Sequence, residues 1–126
     1  MNISSTFHSP ETTADAEAIY RESKHPIYLS GGQEVVLRLQ HELEHISDLI
    51  DLSNIDELHG VHAEGSTLSI GAGENHAAIA GSAVVAQKVP VLSELASNIG
   101  DSQTRNRGTI GGAIASKTRS SDWNAA

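Results

Sequence analysis

The sequence predicts an α+β chain of two lobes: a small βαβ-type α/β lobe over residues 1–55, then an α+β lobe over residues 56–126 that is incomplete at its C-terminal end. Three observations lead there. Short β-type runs alternate with helical periodicity up to Asn54, the pattern then switches to a hairpin followed by helices, and a Gly-Gly pair closes a β-type run in each lobe.

Pro10, Thr12 and Asp15 form a Thr-x-x-Asp capping pattern, so a helix is expected through ADAEAIYRES. PIYL is a short strand that stops at Ser30-Gly31-Gly32. Val36, Leu39, Leu43 and Ile46 then recur at helical spacing, DLIDL reads as a second strand, and Asn54 lies in the turn after it. This α-β-α-β order implies a small parallel sheet with helical crossovers. Beyond it, Val61 and Ala63 alternate with His62 and Glu64, Gly65-Ser66 turns the chain, and Leu68 and Ile70 flank Ser69, which is a hairpin. ENHAAIAGSAVVAQ and PVLSELASNI read as two helices, the second with Pro90 at its start. After Gly100 the chain turns polar and glycine-rich, with Thr109-Ile110 as a strand candidate. SSDWNAA supplies no closing element, and a hairpin plus one short strand make a weak sheet, so this lobe reads as cut short or dependent on a partner.

Composition excludes several classes. The 126 residues are 38% hydrophobic with one Trp, one Phe and two Tyr, which implies an aliphatic core. Sixteen acidic against eight basic residues give a formal charge of −8, the wrong balance for a nucleic-acid binder. Arg105, Arg107, Lys117 and Arg119 make one stretch locally cationic, which suits either a phosphate or a solvated loop. With no cysteine, the chain holds no disulfide, thiolate zinc site or iron–sulfur cluster of its own. Its first residues lack a signal-peptide pattern, and AAIAGSAVVA is too short to span a membrane, so a cytoplasmic location is expected.

Three stretches carry possible chemistry. HELEH satisfies H-E-x-x-H, in which His41 and His45 would bind zinc and Glu42 would activate water. If Leu39, Leu43 and Ile46 face the core, however, both histidines point to solvent, and His59, His62 and Glu64 form no recognisable third-ligand pattern. YLSGGQE places two glycines between a strand and a helix, where free backbone N–H groups suit phosphate. It is neither a Walker A loop nor a dinucleotide fingerprint, and a Gly-Gly pair after a strand is, taken alone, usually just a turn. RNRGTIGGAIAS repeats the Gly-Gly motif after Thr109-Ile110. Two such nests would hold two linked phosphates; the bland reading is two tight turns that allow close packing. No acid, base or nucleophile stands out as catalytic.

FHSPETTADAEAIY, YLSGGQE, LIDLSNIDELHGV, LSIGAGENHAAIA, PVLSELASNIGDSQTRNRGTIGGAIA and SSDWN together resemble the FAD-binding domain of the molybdenum hydroxylase flavoproteins. These comprise the medium subunit of carbon monoxide dehydrogenase and the flavin domain of xanthine dehydrogenase. The likeness is collinear, and RNRGTIGG is its most specific piece. It implies a two-lobed FAD-binding domain of the molybdopterin dehydrogenase type. The first loop would be Ser30, Gly31, Gly32, Gln33 and Glu34, and the second Thr109, Ile110, Gly111, Gly112 and Ala113. Both would bind the FAD pyrophosphate through backbone amides, the missing glycine side chains making room for it. Asp122 matches an acidic position near the flavin's sugar-like chain. Ala113 stands where the family usually has Asn, and Glu34 resembles the xanthine dehydrogenase branch.

The resemblance implies an oxidoreductase subunit in which FAD passes electrons from iron–sulfur clusters to an acceptor, with molybdopterin-binding and iron–sulfur subunits, or another copy of itself, as partners. Family members continue well past this length, so parts covering the flavin ring are expected to be missing and the short chain alone to be inactive. Two alternatives stand beside this expectation: a non-catalytic relative that has lost FAD and acts as an interaction module, and a zinc hydrolase using His41, Glu42 and His45.

Overall fold

The computed structural model describes residues 5–31, 46–115 and 123. It divides into two compact units, Met1–Glu57 and Leu58–Ala126.

The first unit is built on a parallel sheet of three strands, β1 (Thr6–His8), β2 (Pro26–Leu29) and β3 (Asp48–Asp51), in the order β1-β3-β2. The register sets Phe7 and Ile27 beside Leu49, and His8 and Tyr28 beside Ile50. β3 is central, and its Ile50 is fully buried. Pro26 opens an edge strand, a position where its missing N–H costs no ladder bond. The three-residue strand β1 went unread in the sequence because it is too short to carry a period.

Helix α1 (Thr13–Glu22) has the expected cap: the Thr12 hydroxyl accepts the Asp15 N–H at 3.1 Å. Ser23 ends it, its hydroxyl donating to the Ile19 carbonyl at 2.6 Å. Ala16, on the inner face of α1, is buried. The Thr13 N–H and hydroxyl both donate to Glu57 Oε1, which holds that carboxyl below its usual range. The expected helix containing Val36, Leu39 and Leu43 lies outside the described residues.

The second unit opens with the predicted hairpin, β4 (Val61–Glu64) and β5 (Thr67–Ile70), in register from Val61–Ile70 to Glu64–Thr67. Gly65 turns it at φ 59°, left-handed backbone that suits glycine. The single helix expected over residues 74–87 is two, α2 (His76–Ala80) and α3 (Ala83–Lys88). Gly81 ends the first and the Ser82 hydroxyl caps the second through the Val85 N–H, so a local cap outcompetes continued periodicity. α4 (Pro90–Ser97) starts on Pro90 as expected. Ile79, Val85, Ala96, Ile99 and Trp123 form the core, with Val61, Leu68 and Ile70 of the hairpin packed against it.

One expectation beyond Gly100 is corrected. Residues there form helices α5 (Ser102–Arg107) and α6 (Ile110–Ala115). Thr109 makes only an isolated antiparallel bridge to Asn75, so Thr109-Ile110 is not a strand and Gly111-Gly112 is not a turn after one. Within the cationic stretch, Arg105 Nη1 donates to the carbonyls of Ile99 and Gly100 at 3.1 and 2.9 Å, closing the chain behind α4. Asp101 caps α5, and the Thr104 N–H it accepts holds its carboxyl below the usual range. No helix among the described residues is long and apolar enough to cross a membrane.

One electrostatic prediction follows for the first unit. Hydrogen bonds from Ser47 and then His8 hold the Asp48 carboxyl below its ordinary value of 3.8. A depressed carboxyl stabilises the fold at every pH above its unfolded value, and that contribution disappears as pH falls through the lowered one. Asp48→Asn is therefore expected to lower the urea midpoint at neutral pH and to flatten its fall below pH about 4. An acid limb identical in both proteins would refute this.

Candidate functional site

The two glycine loops fall in different units. The first follows the carboxyl end of β2. The Leu29 carbonyl still accepts the Leu52 N–H at 2.9 Å, and two residues on Gly31 enters left-handed backbone at φ 72°. The carboxyl ends of parallel strands are where α/β sheets present ligand-binding loops. The same edge carries Ser9, whose hydroxyl accepts from Asn54 Nδ2 at 2.8 Å. Gly32, Gln33 and Glu34 lie outside the described residues, as do Asp122 and the His41, Glu42, His45 triplet. Among the described residues no cluster of His, Asp and Glu is placed to hold a metal.

The second loop is defined closely. Residues 71–76 and 108–113 run side by side. The His76 N–H donates to the Gly108 carbonyl at 3.1 Å, and the Ile110 N–H to the Glu74 carbonyl at 3.0 Å. The Gly111 N–H donates to the Ala72 carbonyl at 2.8 Å and the Ala113 N–H to the Thr109 carbonyl at 3.0 Å. The Gly112 N–H differs: its acceptor is the Thr109 hydroxyl, at 3.1 Å. The loop thus brings together Thr109, Ile110, Gly111, Gly112 and Ala113, with the amides of the last four bonded inside the protein.

Two glycines here, Gly108 and Gly111, face protein atoms at close range. A Cβ on Gly111 would stand 2.6 Å from the Ala72 oxygen and 2.7 Å from its Cβ. A Cβ on Gly108 would stand 2.8 Å from His76 Nε2. The Glu74 carboxylate secures the same region from outside, accepting the Gly60 N–H at 2.7 Å.

Two residues at this loop escaped the sequence reading. His76 and Trp123 are both buried, and the indole Nε1–H donates to His76 Nδ1 at 3.0 Å. The signal available was a single tryptophan directly after Asp122 in a chain poor in aromatics. Its histidine partner, far upstream, carries no such mark. Elsewhere, a shallow groove lined by Phe7, His8, Ser9, Pro10, Ile19 and Glu22 contains none of the expected residues.

From this packing, Gly111→Ala is expected to cost about 1–3 kcal/mol through overpacking against Ala72, and Gly111→Val more. Urea unfolding of the purified variants measures it; wild-type midpoints in both would mean that Ala72 does not confine this position.

Comparison with known proteins gives a consistent answer. The family model for the FAD binding domain in molybdopterin dehydrogenase matches residues 2–126. The carbon monoxide dehydrogenase medium chain of Hydrogenophaga pseudoflava is 36% identical over 110 residues, covering 86% of this chain and 38% of that one. The xanthine dehydrogenase FAD-binding subunit of Escherichia coli O157:H7 is 30% identical over 118 residues, covering 93% and 40%. Among solved structures, a cyanide-inactivated Cu,Mo-CO dehydrogenase superposes with a TM-score of 0.91 at 33% identity, over 97% of this chain and 43% of that one. Quinoline 2-oxidoreductase from Pseudomonas putida 86 gives 0.85 at 28% identity, over 89% and 39%. The chain spans about two fifths of the length of these relatives. With both glycine loops inside the matched region, the chain belongs to the family of FAD-binding domains of molybdopterin dehydrogenases.

Proposed function

We propose that this chain holds FAD as the flavin-binding part of a molybdenum-hydroxylase-type oxidoreductase, residues 1–55 and 56–126 supplying the two lobes of that domain. The observation that carries the reading is the family match over residues 2–126, which includes both glycine loops in order. FAD, when bound, would carry electrons from iron–sulfur clusters to an external acceptor; the redox chemistry belongs to the cofactor. A chain without cysteine leaves the clusters, like the molybdopterin, to partner subunits. We place the assembly in the cytoplasm.

The chain's own residues would bind and orient the cofactor. Left-handed backbone at Gly31, just past the end of β2, is one component of the conformation in which successive main-chain N–H groups form an anion nest. Ser30, Gly32, Gln33 and Glu34 complete that loop in the proposal. In the second loop the amides of Ile110, Gly111 and Ala113 are committed to backbone carbonyls and fix its shape. The Gly112 N–H, bonded to a rotatable hydroxyl, is the donor that transfers to a phosphate oxygen at least cost, with the Thr109 hydroxyl beside it. Asp122 would accept from hydroxyls of the flavin's sugar-like chain.

A second reading has its own observation. Those committed amides, together with Ala113 in place of the family's usual Asn, favour a relative that keeps the fold, has lost FAD and serves as an interaction module.

The deciding experiment is to denature the purified chain, look for released flavin, and titrate the refolded chain with FAD. Flavin release or saturable uptake is expected. Gly31→Val and Gly32→Val should each weaken uptake at least about tenfold, since a β-branched residue resists left-handed backbone and crowds a phosphate. A colourless protein that takes up no added FAD would leave the interaction module standing instead.

A further inference from the structure

Glu74 joins two stretches of the second unit that lie far apart in sequence. Its carboxylate Oε1 accepts the Gly60 N–H at 2.7 Å, just ahead of β4. Its backbone carbonyl accepts the Ile110 N–H at 3.0 Å, at the start of α6. The side chain is largely buried, with 16% of its surface exposed. His59 Nδ1 stands 3.8 Å from the same oxygen, beyond hydrogen-bond range, so the Gly60 amide is the closer partner that orients the carboxylate.

The turn that ends at Glu74 is pinned from the Gly60 side as well. The Gly71 N–H donates to the Gly60 carbonyl at 2.8 Å, the Gly73 N–H to the Leu58 carbonyl at 2.7 Å, and the Glu74 N–H to the Gly71 carbonyl at 3.0 Å. A side chain on Gly71 would run into the Leu58 carbonyl, so residues 58–60 and 71–74 lie main chain against main chain. On its other side the turn offers the carbonyls of Ala72 and Glu74 to the Gly111 and Ile110 amides. It thereby passes the position of residues 58–60 on to the second glycine loop. With its carboxylate held on one side and its carbonyl on the other, Glu74 cannot rotate without breaking one of the two bonds.

We propose that Glu74 is a positioning residue for the second glycine loop. Its carboxylate, held by the Gly60 N–H, fixes the carbonyl to which Ile110 bonds and so sets where the Gly112 N–H stands, two residues on. The consequence for cofactor binding rests on the proposed FAD function; the placement of the loop is measurable without FAD.

The test is residue-by-residue amide hydrogen exchange in the 126-residue chain, together with FAD titration. Glu74→Ala should speed exchange at Gly60 and Ile110 at least about tenfold, as local opening becomes easier. It should weaken FAD binding about tenfold, the size expected when a hydrogen-bonded group loses its partner. Glu74→Gln keeps an acceptor oxygen at the same reach and should restore most of both. Ser82→Ala removes the cap of α3, away from the loop. It should lower the urea midpoint yet leave Ile110 exchange and FAD affinity unchanged, which separates positioning from general stability. Wild-type exchange at Ile110 or wild-type FAD affinity in Glu74→Ala, equal losses in the Ala and Gln variants, or equal losses in Ser82→Ala would each overturn the proposal. If the wild type takes up no FAD, the functional reading falls, while Ile110 exchange that rises in Glu74→Ala and not in Ser82→Ala still upholds the placement.

Discussion

The antiparallel contact between residues 71–76 and 108–113 is the constraint on which the second unit's candidate site depends. It joins stretches far apart in sequence, and closing so long a loop costs little more entropy than closing a moderately shorter one. The limiting requirement is approach distance. Main chain meets main chain at Gly111 and Ala72, and a side chain meets main chain at Gly108 and His76, so a methyl group at either glycine would push the segments apart. Backbone hydrogen bonds then fix the register that hydrophobic contact leaves open. Ile110 packs against the core formed by Ile79, Val85, Ala96, Ile99 and Trp123, which couples the loop to the stability of the whole unit.

Much of this fold was legible because it is locally encoded. PIYL and the hairpin from Val61 to Ile70 appear as their residue types and turn glycines dictate, and Thr12 caps α1 as its spacing with Asp15 requires. What was misread is tertiary. Thr109 and Ile110 favour extended backbone, yet Thr109 keeps only one bridge and Ile110 begins a helix. Local preference yields there because the Ile110, Gly111 and Ala113 amides find carbonyl acceptors at Glu74, Ala72 and Thr109 in that conformation. Likewise the two-helix break at Gly81-Ser82 is written in the serine, but apolar periodicity across it masked the cap. The family itself was legible from the ordered set of motifs, whereas the distribution of donors within the loop was not.

Some of the charge near the loop is spent on architecture. Arg105 sits in what reads as a cationic stretch, but its guanidinium is directed at the Ile99 and Gly100 carbonyls that follow α4. A helix end leaves carbonyls without intrahelical partners, and an arginine several residues later supplies several donors at once. Glu74 acts in the complementary sense, its carboxylate accepting the Gly60 N–H while its backbone carbonyl accepts from Ile110. Arg105 and Glu74 therefore serve the architecture around the loop. Main-chain and hydroxyl donors are what the loop itself would offer an anion.

Under the FAD reading this has a consequence for where affinity comes from. A loop whose shape is set by internal hydrogen bonds loses little conformational freedom when a ligand arrives, which lowers the entropic cost of binding. The same bonds reduce the number of donors it offers, and Ala113 adds no side-chain donor of its own. The loop then contributes rigidity and a well-placed Gly112 N–H rather than a dense array of contacts. Any compensating interactions must come from groups held in register with it, and among the described residues the Trp123 indole donating to His76 is a second fixed point of the same unit. Distances around the loop are thereby set by the protein's own contacts at Gly108, Gly111 and His76, and a ligand would have to fit the spacing they impose.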